Sequence, residues 1–494
     1  MFKKILIANR GEIAVRIIQT CREMDISTVA VYEAPDQESL HVRQANESVL
    51  LDTEQGFLDQ ENLLKIATET GADAIHPGYG FLAEKPEFIQ ACKDAGITFI
   101  GPVSLPGTTD CAKLDVLNTV REAGFPTVAY AEGTFEADDL EGIGKAAEAL
   151  GYPIIVKSCV GGRGRGERFV FSADELERAL YRASTEANAV YGSDRLYLEK
   201  AVDPANQVGV QIIADGQDNI IHLGEREGSL IFGNQKVFEE TPAPCLTGDQ
   251  RAKLLQTAVE IARVLGYQNI GSVEFLVDGD GKFYFTEMKS RIQVNHPLTE
   301  MVSQVDLVRE QIRIAAGEPL DFSQSDVHLN GHTMLFTIKA QDYMRRLMPT
   351  PGQLQQVRLP SGPGVRVDTH ISSGYAVPAD YDPLLAKLTV WGPDRETCLK
   401  RMQRALKDVI FTGTVTNMPL LQRIIYEQNV VAGTYDSTVV REPDDPALDT
   451  EKHLRDLAVA AAVMFAQQRK AFEPSVPERL NQGWHRTSRK LPTT

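Results

Sequence analysis

The 494-residue sequence has few cysteines and none in a pattern. Cys21, Cys92, Cys111, Cys159, Cys245 and Cys398 are scattered, with no CxxC pair and no Cys/His cluster at zinc spacing. That argues against a structural zinc site and predicts reduced thiols with no disulfide framework. Long apolar runs are also missing: none approaches the ~20 residues that a membrane-spanning helix needs. The first apolar stretch, MFKKILIANRGEIAVRI, carries Arg10 and Glu12, so it reads as neither a signal peptide nor a membrane span. Positive charge is in deficit, the formal net charge being −17. Bulk electrostatics therefore oppose binding to nucleic acid or to anionic membranes, while a local basic pocket for a small anion stays open. A cytoplasmic location is expected, or a plastid stroma if a transit peptide has been removed. There is no internal repeat and no low-complexity tract.

What is present suits large cores: 43% of residues are hydrophobic and 24% charged, over a length that suggests about three domains. Residues 3–8 and 26–32 read as strands with a helix between them. The alternation recurs with helices near 60–70 and 86–95 and strands at 74–76 and 98–100, which predicts an α/β, doubly wound parallel sheet. The first turn lacks GxGxxG, so a dinucleotide site is not indicated there. Strands at 154–157 and 168–171 flank a glycine-rich stretch, followed by a helix at 174–189 and a strand at 196–200. Residues 332–390 are strand-rich, and a helix is expected at 394–409. The Pro/Asp-rich segment 442–450 reads as a linker. Beyond it Leu454, Leu457, Ala458, Ala461 and Phe465 fall at helical spacing, and their apolar face should bury against something.

Several segments could carry chemistry. Gly161, Gly162, Gly164 and Gly166, interleaved with Arg163 and Arg165, would let backbone N–H groups wrap a polyphosphate, or would form an unliganded hairpin. This is not a Walker loop, because no Lys-Ser/Thr follows it. Lys157 ends the strand before the loop and can point at phosphates. Glu199 and Lys200 close another strand, where they could read an adenine edge. Glu274 (GSVEFLVD) and Glu287 (KFYFTEM) sit in apolar strands that form a probable hairpin. Buried carboxylates need a cation, and two on adjacent strands suit Mg2+. Arg291, just beyond, could hold a small planar anion in bidentate fashion. His296, before Pro297, reads as a structural loop residue.

Taken in order, KILIANRGEIAVRI, HPGYGFLAE, GYPIIVK, the glycine loop, LEK, QKVFEE, VEFL, FYFTEM, RIQVNHPLTEM and GYAVPADYDPLLAKL closely resemble the biotin carboxylase family over residues 1 to about 440. The resemblance implies a Rossmann-like N-terminal domain (1–112), a linker and ATP-grasp lid (113–203), a C-terminal α+β domain completing the ATP-grasp (204–441), and a tail (442–494). It implies ATP and Mg2+ as cofactors and carrier-bound biotin as substrate. Bicarbonate attacks the γ-phosphate, and the resulting carboxyphosphate releases CO2 to the biotin ureido nitrogen. Lys113 and Lys157 match the family's phosphate-contacting lysines, the four glycines its lid loop, Glu199 and Lys200 its adenine contacts, and Glu274 and Glu287 its metal ligands. Lys236, Arg291, Gln293 and Val294 match its bicarbonate pocket, and Arg366 an interface arginine.

The departures concentrate where the family does its chemistry. Asn295 stands where the family has the Glu that deprotonates bicarbonate. Thr337 stands where it has the Arg that stabilises the biotin enolate, and Lys289 replaces its metal-site Asn. Gln207 replaces a nucleoside-contacting His, most of the polar set between Glu225 and Lys236 is altered, and Val160 and Arg163 replace lid glycines. The base and the enolate cation each supply orders of magnitude in rate. The expectation is therefore an ATP-binding but catalytically degenerate paralogue, serving as a structural or regulatory subunit of an acyl-CoA carboxylase of fatty acid biosynthesis. Its partners would be a biotin carboxyl carrier protein, a carboxyltransferase or a paralogous biotin carboxylase, in a homo- or hetero-oligomer to which the tail could dock. Two rivals stand beside it: an active carboxylase with a substitute base such as His296, and an ATP-grasp ligase for another small acid.

Overall fold

Short runs open the chain and become parallel strands: the apolar β1 (Lys4–Ile7), β2 (Ser27–Tyr32) and β4 (Ala74–His76) are buried, while β3 (Glu47–Leu50) is largely exposed and β5 (Thr98–Phe99) half-buried. In this computed structural model they form one sheet in the order β3-β2-β1-β4-β5, with parallel pairing throughout. The structure describes residues 1–104, 111–136, 139–159, 168–232, 235–345, 347–438, 457–459 and 461–465. Between β1 and the helix Gly11–Glu23, the turn is pinned by Asn9, whose amide donates to the carbonyls of Pro77 and Tyr79 at 2.7 and 2.9 Å. Gly11 has φ +69°, a left-handed value that a residue with a Cβ seldom adopts.

The next portion is a small antiparallel sheet, β7-β6-β8, formed by β6 (Ile154–Ser158), β7 (Arg168–Val170) and β8 (Leu196–Lys200). The helices Leu140–Leu150 and Ala173–Tyr191 pack on it around Ile143, Ile154, Val156 and Leu180. The first of them is capped by Asp139, which accepts from the Gly142 N–H.

The rest of the chain to residue 438 is built on an eight-stranded antiparallel sheet. It uses β9 (Asn206–Ala214), β10 (Ile220–Phe232), β11 (Gln235–Thr241), β12 (Asn269–Val277), β13 (Phe283–Lys289) and β14 (His332–Lys339). Its order is β13-β12-β9-β10-β11-β14, followed by the strands Leu384–Gly392 and Val365–Thr369. The helices Gly248–Val264 and Ala112–Glu122 bury Leu254, Ala258, Ile261 and Leu117 against Val210, Val273 and Phe285.

Buried ion pairs join the N-terminal sheet region to this larger part. Lys387 Nζ lies 2.9 Å from Glu12 Oε2, with the lysine fully buried. Arg16 reaches Glu300 at 3.0 Å and Asp306 at 2.7 Å, and Arg366 takes the other oxygen of Glu300 at 2.7 Å.

One expectation is corrected here. Cys111 and Cys159 form a disulfide with a Cα–Cα distance of 4.5 Å, so the thiols are not all reduced. The pair is 48 residues apart in sequence, and only the approach of the Ala112–Glu122 helix to the end of β6 brings it together. In the tail, residues 457–459 and 461–465 are helical, but Leu457 and Phe465 are exposed, so the described part of the apolar face is not buried. Leu454, the linker 442–450 and Trp484 lie outside the described residues. The chain divides into two compact units, Met1–Arg441 and Glu442–Thr494. Among the described residues no helix is long and apolar enough to cross a membrane.

Candidate active site

The β12–β13 hairpin does what its alternating apolar residues demand and brings Glu274 and Glu287 directly opposite one another in register. Asp278 organises its turn by accepting from the Asp280 and Lys282 N–H groups. The Glu274 carboxylate accepts from Ser272 Oγ at 2.7 Å and Gln293 Nε2 at 2.9 Å, with Arg226 at 3.7 Å and Lys236 at 3.8 Å. Burial would raise its pKa, but Lys236 and Arg226 outweigh that and hold it below the ordinary carboxylate value. Glu287 is likewise opposed by burial, yet Lys289, Lys113 and Lys157 together bring it down to about 2. Lys289 Nζ stands 2.8 Å from Glu287 Oε2.

Beyond β13 the chain crosses the sheet end. Arg291 is steadied by Glu84 of the N-terminal part, 2.9 Å from its Nε. Val294 and Asn295 form a turn into the helix His296–Ser303. Asn295 is buried and its Nδ2 donates to Glu239 Oε2, whereas its Oδ1 has no hydrogen-bond partner. The Glu239 carboxyl, on β11, is raised by burial despite Lys236 and Arg226 beside it. Arg226 is itself buried and leaves Nη2 without a hydrogen bond. Two buried polar atoms, Asn295 Oδ1 and Arg226 Nη2, thus lack hydrogen-bond partners in a region that also holds Lys236 and Glu239.

The lysine of β6, Lys157, lies 2.8 Å from Glu199 Oε2, and Tyr197 OH donates to the other oxygen at 2.8 Å. Lys113 stands on the helix Ala112–Glu122, close enough to act on Glu287. The Glu199 carboxylate is thus held between Lys157 and Tyr197. Lys200 turns its ammonium to the carbonyls of Gly151 and Tyr152, at 2.8 and 2.9 Å, and so holds the lid sheet to its neighbouring loop. Gly161, Gly162, Gly164 and Gly166, with Val160, Arg163, Gly233 and Asn234, lie outside the described residues.

His296 is fully buried, its Nδ1 contacts the Gln293 carbonyl at 2.8 Å, and burial with nearby Lys387, Arg366 and Arg16 holds its pKa well below the ordinary imidazole value. It is a structural residue. Thr337 is buried on β14, opposite Lys387, whose ammonium is taken by Glu12. Arg366 is engaged within the chain by Glu300 and Asp368.

The structure adds participants that residue patterns did not single out: Glu84, Arg226, Glu239 and Ser272. The signal for the middle pair was charge at inward positions of otherwise apolar strands. A resident Mg2+ does not fit this set as it stands. One carboxylate is joined to an ammonium and the other stands among two cations, whereas Mg2+ needs free oxygen ligands in near-octahedral array. Among the described residues no group of three or more His, Cys, Asp or Glu side chains could hold a metal ion.

Comparison with known proteins places the whole chain. Three family models match in sequence: the biotin carboxylase N-terminal domain over residues 1–105, the ATP-binding domain of the carbamoyl-phosphate synthase L chain over 113–323, and the biotin carboxylase C-terminal domain over 336–442. The biotin carboxylase of Nostoc sp. is 44% identical over 448 residues, covering 89% of this chain and 99% of that protein. The biotin carboxylase domain dimer of Hydrogenobacter thermophilus 2-oxoglutarate carboxylase, solved with MgADP, ADP and bicarbonate, superposes with a TM-score of 0.85 at 39% identity, covering 89% of this chain and 97% of that one. The biotin carboxylase of Campylobacter jejuni, solved with a β,γ-ATP complex, gives 0.83 at 35% identity, covering 89% and 98%. In sequence, domain order and fold, the chain belongs to the biotin carboxylase family.

Proposed function

We propose that this chain is a nucleotide-binding, biotin carboxylase-type subunit of a biotin-dependent carboxylase that does not itself turn over, and that its role in the assembly is structural or regulatory. Adenine nucleotide and bicarbonate are the ligands we assign, with Lys113 and Lys157 toward phosphate and Lys236, Arg291, Gln293 and Val294 toward bicarbonate. A carrier protein bearing biotin, a carboxyltransferase or a paralogous active subunit are its partners, in the cytoplasm. The observation that carries the reading is Asn295. Its Oδ1 can accept a hydrogen bond from the bicarbonate hydroxyl, but an amide cannot take the proton away, and its Nδ2 is already committed to Glu239. Thr337 places no charge where an enolate would form.

A second reading, an active carboxylase, has one observation in its favour. Glu239 is a buried carboxyl of raised pKa that touches Asn295, so it is better placed than His296 to serve as a base. ATP-dependent fixation of labelled bicarbonate onto biotin and onto a biotinylated carrier separates the two. Background counts beside an active family member are expected. Robust turnover that is abolished in Glu239→Gln would establish the second reading instead.

A further inference from the structure

The cation at Glu287 belongs to the protein. Lys289 reaches back two residues along β13 to place its ammonium 2.8 Å from Glu287 Oε2, with the lysine side chain 17% exposed. The opposite carboxylate, Glu274, is met by Arg226 and Lys236. Each carboxylate of the hairpin thus has positive charge beside it before any ligand arrives. A divalent ion bridging carboxylate to phosphate would have to displace the Lys289 ammonium or sit against it, and like charges at that range repel. An ammonium carries three donors. One directed at Glu287 leaves two for phosphate oxygens, and Lys113 and Lys157 act on the same carboxylate.

We propose that Lys289 takes the place of the divalent cation in this site, so that the chain binds ATP or ADP as the free polyphosphate with no requirement for Mg2+. The proposal rests on the nucleotide-binding reading above and adds to it the ionic form of the ligand. Structurally, Lys289 would be more than an edge-strand ion pair. The Glu287–Lys289 pair would be a fixed dipole with its positive end toward the phosphates, while Glu274 would stay engaged by Ser272, Gln293 and Arg226.

The test is calorimetric titration of the full chain with ATP and with ADP, once in EDTA and once in excess MgCl2. Dissociation constants within about threefold of each other are expected, because metal-linked binding would shift them far more. Lys289→Asn should weaken binding in EDTA by about tenfold or more, the worth of one charge-assisted hydrogen bond, and should make binding Mg2+-dependent. Lys289→Met should weaken binding in EDTA by a similar factor and gain a smaller Mg2+ dependence than Lys289→Asn, since it frees Glu287 but supplies no ligand of its own. Melting curves of both variants show whether they are folded. Electron paramagnetic resonance with Mn2+ and ADP gives a readout independent of affinity: free or nucleotide-only Mn2+ spectra are expected with the parent chain, and a protein-bound spectrum with Lys289→Asn. Binding by the parent only in the presence of Mg2+ overturns this proposal and leaves the nucleotide-binding reading intact. Binding in neither condition removes both.

Discussion

Restoring the family's residue at one position should make the protein less stable, not active. In the parent chain the Asn295 amide donates to Glu239 Oε2, and both residues are buried. Asn295→Glu removes that donor and puts a second carboxylate against the first. Losing the donor to a buried acceptor costs about 1–3 kcal/mol. Two full charges ~4 Å apart at an effective dielectric of about 20 would add about 4 kcal/mol. Lys236 and Arg226 offset part of this, and sharing one proton between the carboxylates limits the rest. A net loss of about 2–4 kcal/mol at pH 8 is expected by those figures. The pair binds a proton more tightly in the folded chain than two free carboxyls do unfolded. Its folded pKa is therefore raised, so the penalty is absent below the unfolded value of about 4.3 and grows as pH rises through the folded one. Urea unfolding of parent and variant at pH 6 and pH 8 reads this directly. A variant as stable as the parent at pH 8, or one that loses more at pH 6 than at pH 8, would refute the reasoning. Bicarbonate fixation should stay at background in this single variant, because Thr337 and Lys289 are unchanged.

Three further outcomes can be measured. Cys111→Ser, or treatment with a strong reductant, opens a link across 48 residues; the chain-entropy argument puts the loss at up to about 4 kcal/mol, seen as a lower urea midpoint, and an unchanged midpoint would show that the bridge contributes nothing. Arg395→Met strips two contacts, at 2.8 and 2.9 Å, from the fully buried Glu240, and should cost about 3–5 kcal/mol in unfolding experiments, with part recovered in the double variant with Glu240→Gln. Glu227, fully buried, has its carboxyl pushed up to about 7 by burial, so it contributes stability below the ordinary value of 4.5 that is lost as pH rises through 7; Glu227→Gln should flatten the parent's decline between pH 5 and 8 by an amount on the order of 3 kcal/mol, and parallel pH profiles would contradict this.

The parallel sheet was legible because β1, β2 and β4 are short apolar runs separated by helical periodicity, a local property. The Glu274–Glu287 hairpin was legible for the same reason: two alternating strands joined by an Asp-Gly turn fix their own register. What could not be read came from elsewhere in the chain. The Cys111–Cys159 bridge joins segments with no shared pattern. The carbonyls of Gly151 and Tyr152 that accept from the Lys200 ammonium lie 49 and 48 residues away, and no pattern around LEK announces them. Glu239 lay unmarked beside Glu240 in QKVFEE. Period-two alternation sends the two to opposite faces, one toward Asn295 and the other toward His332 and Arg395.

The ion pairs of Glu12, Arg16 and Lys387 bear on how this molecule can be cut. Sequence comparison divides the chain into three matched segments, as though each were a portable module. A fragment that stopped after the first would carry Glu12 and Arg16 away from Lys387, Glu300 and Asp306, and the remainder would keep a fully buried lysine that has lost its 2.9 Å partner, with Asp368 as the negative charge left to it. The first piece would have to bury Glu12 and Arg16 without these partners, whereas in the remainder Arg366 still meets Glu300 and Asp368. Recombination with a relative at that boundary would have to exchange both halves of each pair together to keep these contacts.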